Sequence, residues 1–250
     1  MSDWILITGA GQRLGRAIAL EAARRGRSVA LHYNASAAGA EDAAAQARAV
    51  GVSAVTVGAD LADPDAAGAL LTRAQAAAGA PFSGLVNSAA IFEHDLAQTV
   101  TAAAFERHMR VNALAPALLA RAFAQALPAE ARGAIVNILD FKLAQPYPDH
   151  FSYTVSKYAL AGSMELMARG LAPRIRVNAV APGYTLPAPG QPDADFARLH
   201  ADTPLERGVE PADIAAAVLF LLEAPAVTGQ TLTVDAGLRF RARDRDLAFS

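Results

Sequence analysis

The sequence predicts a doubly wound α/β domain built on a parallel sheet, and three observations lead there. Seven short β-rich runs, at 4–8, 28–33, 54–57, 84–87, 134–139, 176–179 and 231–234, alternate with longer Ala-rich stretches of helical pattern. Strand and helix in alternation imply βαβ units, and strands that read as unbroken apolar runs imply a sheet covered on both faces. At 250 residues the chain suits one large core better than two small ones. A single domain over residues 1–240 is expected, followed by a charge-rich tail at 241–250 without periodicity, either frayed or an oligomer contact. The Pro- and Gly-bearing stretch 184–204 is the one long irregular segment and reads as a substrate lid.

Composition removes several classes of function. The apolar fraction of 53% is carried largely by Ala, and no apolar run reaches the roughly 18 residues of a membrane span. The N-terminus lacks the basic start and small-residue cleavage site of a signal peptide, so a cytoplasmic location is expected. Cysteine is absent, which excludes disulfides and thiolate chemistry, and the five histidines lack metal-like spacing, so no metal is expected. A net charge of −2 with both signs interspersed gives no footprint for nucleic acid. A small-molecule partner is the expectation that remains.

Chemistry should gather just after the strands, where doubly wound sheets bind their ligands. The first strand runs into Thr8-Gly9-Ala10-Gly11-Gln12-Arg13-Leu14-Gly15, and a helical run begins near Arg16. Glycines there permit a tight turn and let backbone N–H groups approach a pyrophosphate at the positive end of a helix; an ordinary strand-to-helix turn is the plain alternative. After the second strand comes Leu31-His32-Tyr33-Asn34-Ala35-Ser36. An NAD(H) site places a carboxylate here for the adenosine ribose, and that charge repels a 2′-phosphate. No acid is present, so NADP(H) is favoured, with NAD(H) left open. His32, Asn34 and Ser36 are the candidate phosphate contacts, although Ser36 is equally placed to cap the next helix.

Tyr153 and Lys157, beyond the fifth strand, lie one helical turn apart and share a face. A free tyrosine has a pKa of about 10, and a neighbouring ammonium stabilises its phenolate, which makes the phenol a better proton donor at working pH. A surface pair on an amphipathic helix has the same spacing.

Together, the Gly9, Gly11, Gly15 turn and the Tyr153, Lys157 pair resemble the short-chain dehydrogenase/reductase family, over almost the whole chain. The resemblance implies a Rossmann-type fold with Tyr153 as proton donor and Lys157 as its activator and a contact to the nicotinamide ribose. It implies that Asn112 bends a helix and holds a proton-relay water. It places Asp60, beside Leu61, at the adenine, against the alternative of a capped turn. Asn87 and Ala89 would let the cofactor lie against backbone, and Pro182, Gly183 and Thr185 would form the turn at the nicotinamide. The family pairs long helices, here around 101–127 and 152–171, so a homo-oligomer, dimer or tetramer, is implied.

Thirteen residues before Tyr153 the family has a serine that hydrogen-bonds the reacting carbonyl, and this chain has Asp140. An ionised carboxylate repels a developing alkoxide. Asp140 either accepts from an N–H-rich heterocycle, or stays protonated and shares proton delivery with Tyr153, or caps a loop. The same substitution occurs in pteridine reductases, and Gly11 to Gly15 and Leu31 to Ala38 are similar to segments of that subgroup. Phe92 falls where the subgroup stacks an aromatic ring on the pterin, a core ring being the alternative. Arg13 would reach the pyrophosphate and the substrate's polar edge, or else lie solvated. Gln12, Ala35 and Ala90 depart from the subgroup, where a basic residue, an arginine and a serine are common. The implied activity is NADPH-dependent reduction of a C=N bond in a pterin-like substrate. A carbonyl reductase of the 3-oxoacyl or sugar-alcohol kind, and a cofactor-binding regulatory protein, are the competing readings.

Overall fold

All seven expected strands form one parallel sheet in the order β3-β2-β1-β4-β5-β6-β7. They are β1 (Trp4–Ile7), β2 (Ser28–Tyr33), β3 (Ala54–Gly58), β4 (Phe82–Asn87), β5 (Gly133–Ile138), β6 (Ile175–Pro182) and β7 (Thr231–Val234). The computed structural model describes residues 4–187 and 191–241. The unbroken apolar character of the strands has a direct cause. Ile5 and Ile7 pack into one core with Val86, Val136 and Val180, while Leu6 between them packs into the other with Leu85 and Ile135. Alternate side chains enter alternate faces, and both faces are covered.

The Ala-rich stretches are the covering helices. On one side lie α1 (Arg13–Arg24), α2 (Ala37–Ala49) and, later in the chain, the helix Pro211–Glu223. The buried alanines of α2, Ala40, Ala43, Ala44 and Ala47, follow the i, i+3, i+4, i+7 rhythm of a helix with one buried stripe. The other side carries α3 (Pro64–Ala78), α4 (Ala102–Met109), α5 (Ala115–Ala126) and α6 (Phe151–Gly170). Between α4 and α5, residues Arg110–Leu114, Asn112 among them, form a π-helical turn that interrupts the long helix expected around 101–127.

The segment read as wholly irregular is partly helical, a correction to the sequence expectation. Residues Asp193–Ala201 form α7, with Asp193 and Asp195 in the first turn and Arg198 in the last, charges that complement the helix dipole at each end. The last helix in the chain, Pro211–Glu223, is then α8. Positions 188–190 of the expected lid and 242–250 of the tail lie outside the described residues.

Candidate active site

β1 neighbours both β2 and β4, so the chain changes winding direction there and leaves a crevice beyond the strand ends. A cleft of about 640 Å³ opens at that edge. Its floor is latched by Thr8, whose hydroxyl oxygen accepts the N–H groups of Ser88 and Ala89 at 3.0 Å each. Gly9 has φ +67°, and a Cβ there would meet Ala89 Cα at 2.9 Å. A Cβ on Gly11 would meet the Ser36 carbonyl oxygen at 2.7 Å, and one on Gly15 would run into the Gly9 carbonyl. The turn therefore has no room for side chains at its three glycines. Helix α1 starts at this turn with no acid in its first turn, leaving its positive end unopposed. Arg13 sits at φ 52°, in the left-handed region that non-glycine residues seldom adopt, and its guanidinium donates to the Pro187 carbonyl at 2.9 Å. The turn is thereby tied to the segment after β6. Leu14 lines the same wall.

The second strand end is only partly as expected. Asn34 and Ala35 are exposed at the cleft, and Ser36 makes no capping bond although it precedes α2, so its hydroxyl does not serve that helix. His32 is a correction. It is buried, its Nδ1 accepts the Gly9 N–H at 3.1 Å, and its Nε2 lies 3.1 Å from the Ala59 carbonyl. Both nitrogens are engaged by backbone in the neutral tautomer, and burial pushes its pKa down. The ring braces the glycine turn and offers no hydrogen to a phosphate. Asp60 caps its own turn, accepting the Ala62 N–H at 2.9 Å, and lines the cleft with buried Leu61.

Asn87 lies at the base of the segment 88–90. Its Nδ2 donates to Asn137 Oδ1 at 2.8 Å, tying the buried ends of β4 and β5, and Ser88, Ala89 and Ala90 line the cleft beyond it. Sequence alone gave no sign of Asn137 as its partner, because the two meet through strand register fifty residues apart.

At the other end of the cleft, the Tyr153 hydroxyl donates to Asp140 Oδ2 at 2.7 Å. Asp140 Oδ1 accepts the Lys142 N–H at 2.9 Å, so the carboxylate also caps the turn Phe141–Leu143. Burial pushes the Asp140 carboxyl up from its ordinary value, opposed by those two bonds and by the Lys142 and Lys157 charges. Lys157 Nζ donates to the Ile138 carbonyl at 2.7 Å and lies 5.6 Å from the Tyr153 ring centre. Burial pushes its ammonium down to about 8, with Asp140 pulling the other way. Asn112 in the π-helical turn accepts the Ile91 N–H at 2.9 Å and donates to the Ile91 carbonyl at 3.0 Å and to Ser156 Oγ at 2.9 Å.

Phe92 stands at the same end. One face stacks on His150 at 4.0 Å between ring centres and its ring meets Tyr153 edge-on at 4.7 Å, with 36% of the residue exposed. Pro182, Gly183 and Thr185 follow β6 into the cleft, and the Thr185 hydroxyl donates to the Gly183 carbonyl at 2.9 Å. A Cβ on Gly183 would meet Asp235 Cα at 2.8 Å, which holds this turn against the end of β7.

Residues 9–239 match a family model described as enoyl-(acyl carrier protein) reductase. The chain belongs to the short-chain dehydrogenase/reductase family. It is 36% identical to the FolM alternative dihydrofolate reductase 1 of Brucella canis, solved with NADP, with a TM-score of 0.89 over 96% of this chain and 95% of that one. It is 35% identical to the 2-(S)-hydroxypropyl-CoM dehydrogenase 3 of Xanthobacter autotrophicus, covering 95% of this chain and 96% of the relative. It is 30% identical to the 3-oxoacyl-[acyl-carrier-protein] reductase FabG of Staphylococcus aureus, covering 95% and 98%. Among the described residues no helix is long and apolar enough to cross a membrane.

Several residues that shape this short-chain dehydrogenase/reductase site carried no sequence signal. Asp95 anchors the start of α6 by accepting the Ser152 N–H at 3.0 Å and the Ser152 hydroxyl. Lys142 is buried, and its ammonium lies 3.6 Å from Asp149. Phe141 and Tyr184, both lining the cleft, meet edge-on at 5.4 Å. Asp95 with Ser152 and Phe141 with Tyr184 meet across segments far apart in the chain, and Lys142 with Asp149 only through the fold of one loop.

Proposed function

We propose that the protein is an NADPH-dependent reductase that delivers hydride to a C=N carbon of a pterin-like substrate, a dihydropteridine or folate. The observation that carries this reading is a carboxylate, Asp140, bonded to the Tyr153 hydroxyl where a serine hydroxyl would suit a carbonyl. A serine donates to a carbonyl oxygen as negative charge grows on it, whereas an ionised carboxylate repels that charge. Burial favours the neutral acid at Asp140, and a neutral acid beside a phenol forms a pair that can supply a proton to a ring nitrogen. When ionised, the same group accepts from ring N–H groups. The likeness to two Brucella alternative dihydrofolate reductases, 36% and 35% identical, supports the same substrate class.

The cleft fits a dinucleotide. The glycine turn excludes side chains where a pyrophosphate would lie, and the N-terminus of α1 faces it. Gly9, Gly11, Arg13, Leu14 and Gly15 would hold the pyrophosphate, Asn34 and Ser36 the 2′-phosphate, and Asp60 and Leu61 the adenine. Ala89, Pro182, Gly183, Thr185 and Lys157 would hold the nicotinamide end. The bound cofactor supplies hydride. With Asp140 neutral, its carboxyl proton would bond Tyr153 Oη and free the phenol proton to go to the substrate nitrogen, the Lys157 ammonium stabilising the phenolate left behind. Phe92 offers an aromatic edge and a partly open surface for a flat heterocycle.

The test is NADPH oxidation by the purified protein with dihydropteridines, dihydrofolate and a panel of ketones including 3-oxoacyl thioesters. Turnover confined to the pterins and folates supports the assignment. Good turnover of ketones with none of any pterin or folate overturns it and favours a carbonyl reductase of the FabG kind. We also read the protein as a homo-oligomer, supported by the apolar groove of Phe105, Met109 and Leu114 beside α6, to be checked by sedimentation.

A further inference from the structure

Tyr153 sits in the first turn of α6, and the cap of that turn comes from elsewhere in the chain. Helix α6 carries no acid in its own first turn, and His150, the residue before it, makes no side-chain capping bond. Asp95 supplies the cap from 57 residues away. Its Oδ1 accepts the Ser152 N–H at 3.0 Å, its Oδ2 accepts the Ser152 hydroxyl, and its backbone carbonyl accepts the Phe151 N–H at 3.1 Å. Donors that a helix start leaves without partners are thereby satisfied, and a carboxylate lies at the positive end of the helix. Asp95 and Ser152 are both buried, so water does not compete for these bonds. The loop that holds Asp95 also carries Phe92. Ile91, at its beginning, is held by Asn112, and the Glu93 carbonyl lies 3.0 Å from His150 Nδ1. Between these ties the Phe92 ring stacks on His150 and meets Tyr153 edge-on at 4.7 Å. Residues 91–95 are thus fastened to the π-helical turn at one end and to α6 at the other. The reaction described above makes no use of Asp95.

We propose that Asp95 is a positioning residue: by capping α6 from the loop that bears Phe92, it fixes the ring that receives the substrate relative to the phenol that protonates it. This role rests on the reading of Phe92 as the stacking ring and Tyr153 as the proton donor. Asp95 is not among the residues that line the cleft, so it acts through these neighbours alone. Without its carboxylate the first turn of α6 loses its cap, and loop and helix no longer hold one another in register. A misplacement of about 1 Å is enough to lower a rate by about 100-fold.

The test sets Asp95→Ala against Asp213→Ala. Asp213 accepts the Glu210 N–H at 2.9 Å in the capping box of α8, across the sheet from α6 and outside the cleft lining, so its loss removes a helix cap without touching the site. The first readout needs neither cofactor nor substrate. It is the set of Tyr153 ring resonances in the tyrosine-labelled protein, which the edge-on Phe92 ring displaces. In Asp95→Ala they are expected to move in the direction seen in Phe92→Leu, and in Asp213→Ala to stay in place. The second readout is kinetic, on whichever substrate of the panel above the wild type turns over. In Asp95→Ala kcat is expected to fall by about 10- to 100-fold and the solvent deuterium isotope effect to rise, because proton delivery becomes slow, with NADPH affinity unchanged. Asp95→Asn keeps an oxygen for the Ser152 N–H and is expected to recover most of the rate. Ser152→Ala loses only the hydroxyl bond and should give a smaller change of the same sign, which serves if Asp95→Ala does not fold. Asp213→Ala should lower Tm alone. Equal kinetic losses in Asp95→Ala and Asp213→Ala, or a loss of NADPH affinity in step with kcat, mean general loosening and overturn the proposal. Tyr153 resonances unmoved in both Asp95→Ala and Ser152→Ala overturn it as well, and they decide alone if nothing in the panel is turned over. If resonances and rates change as expected but on ketones and not on pterins or folates, the substrate assignment fails and the role of Asp95 stands.

Discussion

The Tyr153 hydroxyl donates to Oδ2 of Asp140 at 2.7 Å, while the other carboxylate oxygen is held by the backbone N–H of Lys142. The carboxylate is therefore fixed at both oxygens and cannot swing away when substrate arrives. Asp140→Ser replaces an acid by a hydroxyl that donates but does not ionise at working pH. It is expected to lower kcat/KM for dihydropteridine by about 100-fold, the lower range for a lost general acid, and to raise it for simple ketones. Steady-state kinetics on both substrates check this. Loss of equal size on the two would show that Asp140 only holds the turn Phe141–Leu143.

Lys157 provides a pH signature. Burial pushes its ammonium down to about 8, and a lysine is charged below its pKa. The cation that stabilises the Tyr153 phenolate is thus present at neutral pH and is lost as pH rises through about 8. Hydride transfer, followed as NADPH absorbance in single turnovers, is expected to decline on the alkaline side near that value. Lys157→Arg keeps its charge throughout this range and should lack that decline, whatever its absolute rate. A decline that persists in Lys157→Arg belongs to another group.

The glycine turn can be tested by volume alone. In Gly11→Ala the new methyl would meet the Ser36 carbonyl oxygen at 2.7 Å and Ser36 Cβ at 2.9 Å. Backbone cannot yield as a side-chain tip can, so the start of α2 must move. The expected stability loss is about 1–3 kcal/mol, typical of overpacking, with NADPH affinity falling together with it because Ser36 moves. Gly26→Ala is the control for cofactor binding. Nothing lies within 4 Å of its Cβ, although φ +79° makes that substitution strained too. It should lose stability without a matching loss of affinity in a fluorescence titration.

What the sequence makes legible here is whatever depends on short-range pattern. The strands are apolar because both sheet faces are covered, and the glycine turn and the Tyr153, Lys157 spacing are each written within a few residues. What stays hidden depends on register and packing. His32 looks like a phosphate ligand because it ends β2 among polar residues, yet its ring is turned onto Gly9 and Ala59. The side-chain partner of Asn87 is Asn137, which strand register alone sets opposite it. Helix α7 is disguised by the prolines around it, and its end charges become readable only once the helix is known. Lys142 and Asp149 are spaced like any loop pair, and only the folded loop brings them together.

The π-helical turn at Asn112 links stability to the site. Its side chain satisfies the Ile91 N–H and carbonyl and donates to Ser156 Oγ, and that hydroxyl donates to the Tyr153 carbonyl at 2.6 Å. A chain of bonds therefore runs from the π-helical turn to the backbone of the proton donor. Asn112→Ala leaves two half-buried backbone groups at Ile91 without their bonds, at a cost of about 2–3 kcal/mol. That corresponds to a fall in Tm of roughly 5–10 °C for a domain of this size. Ser156→Ala removes one link and should cost about 1 kcal/mol. Because the two share a bond, the double variant is expected to lose less than the sum of the singles. Thermal unfolding of the four proteins measures that coupling, and strict additivity would show that Asn112 acts on Ile91 alone and leaves Tyr153 unaffected.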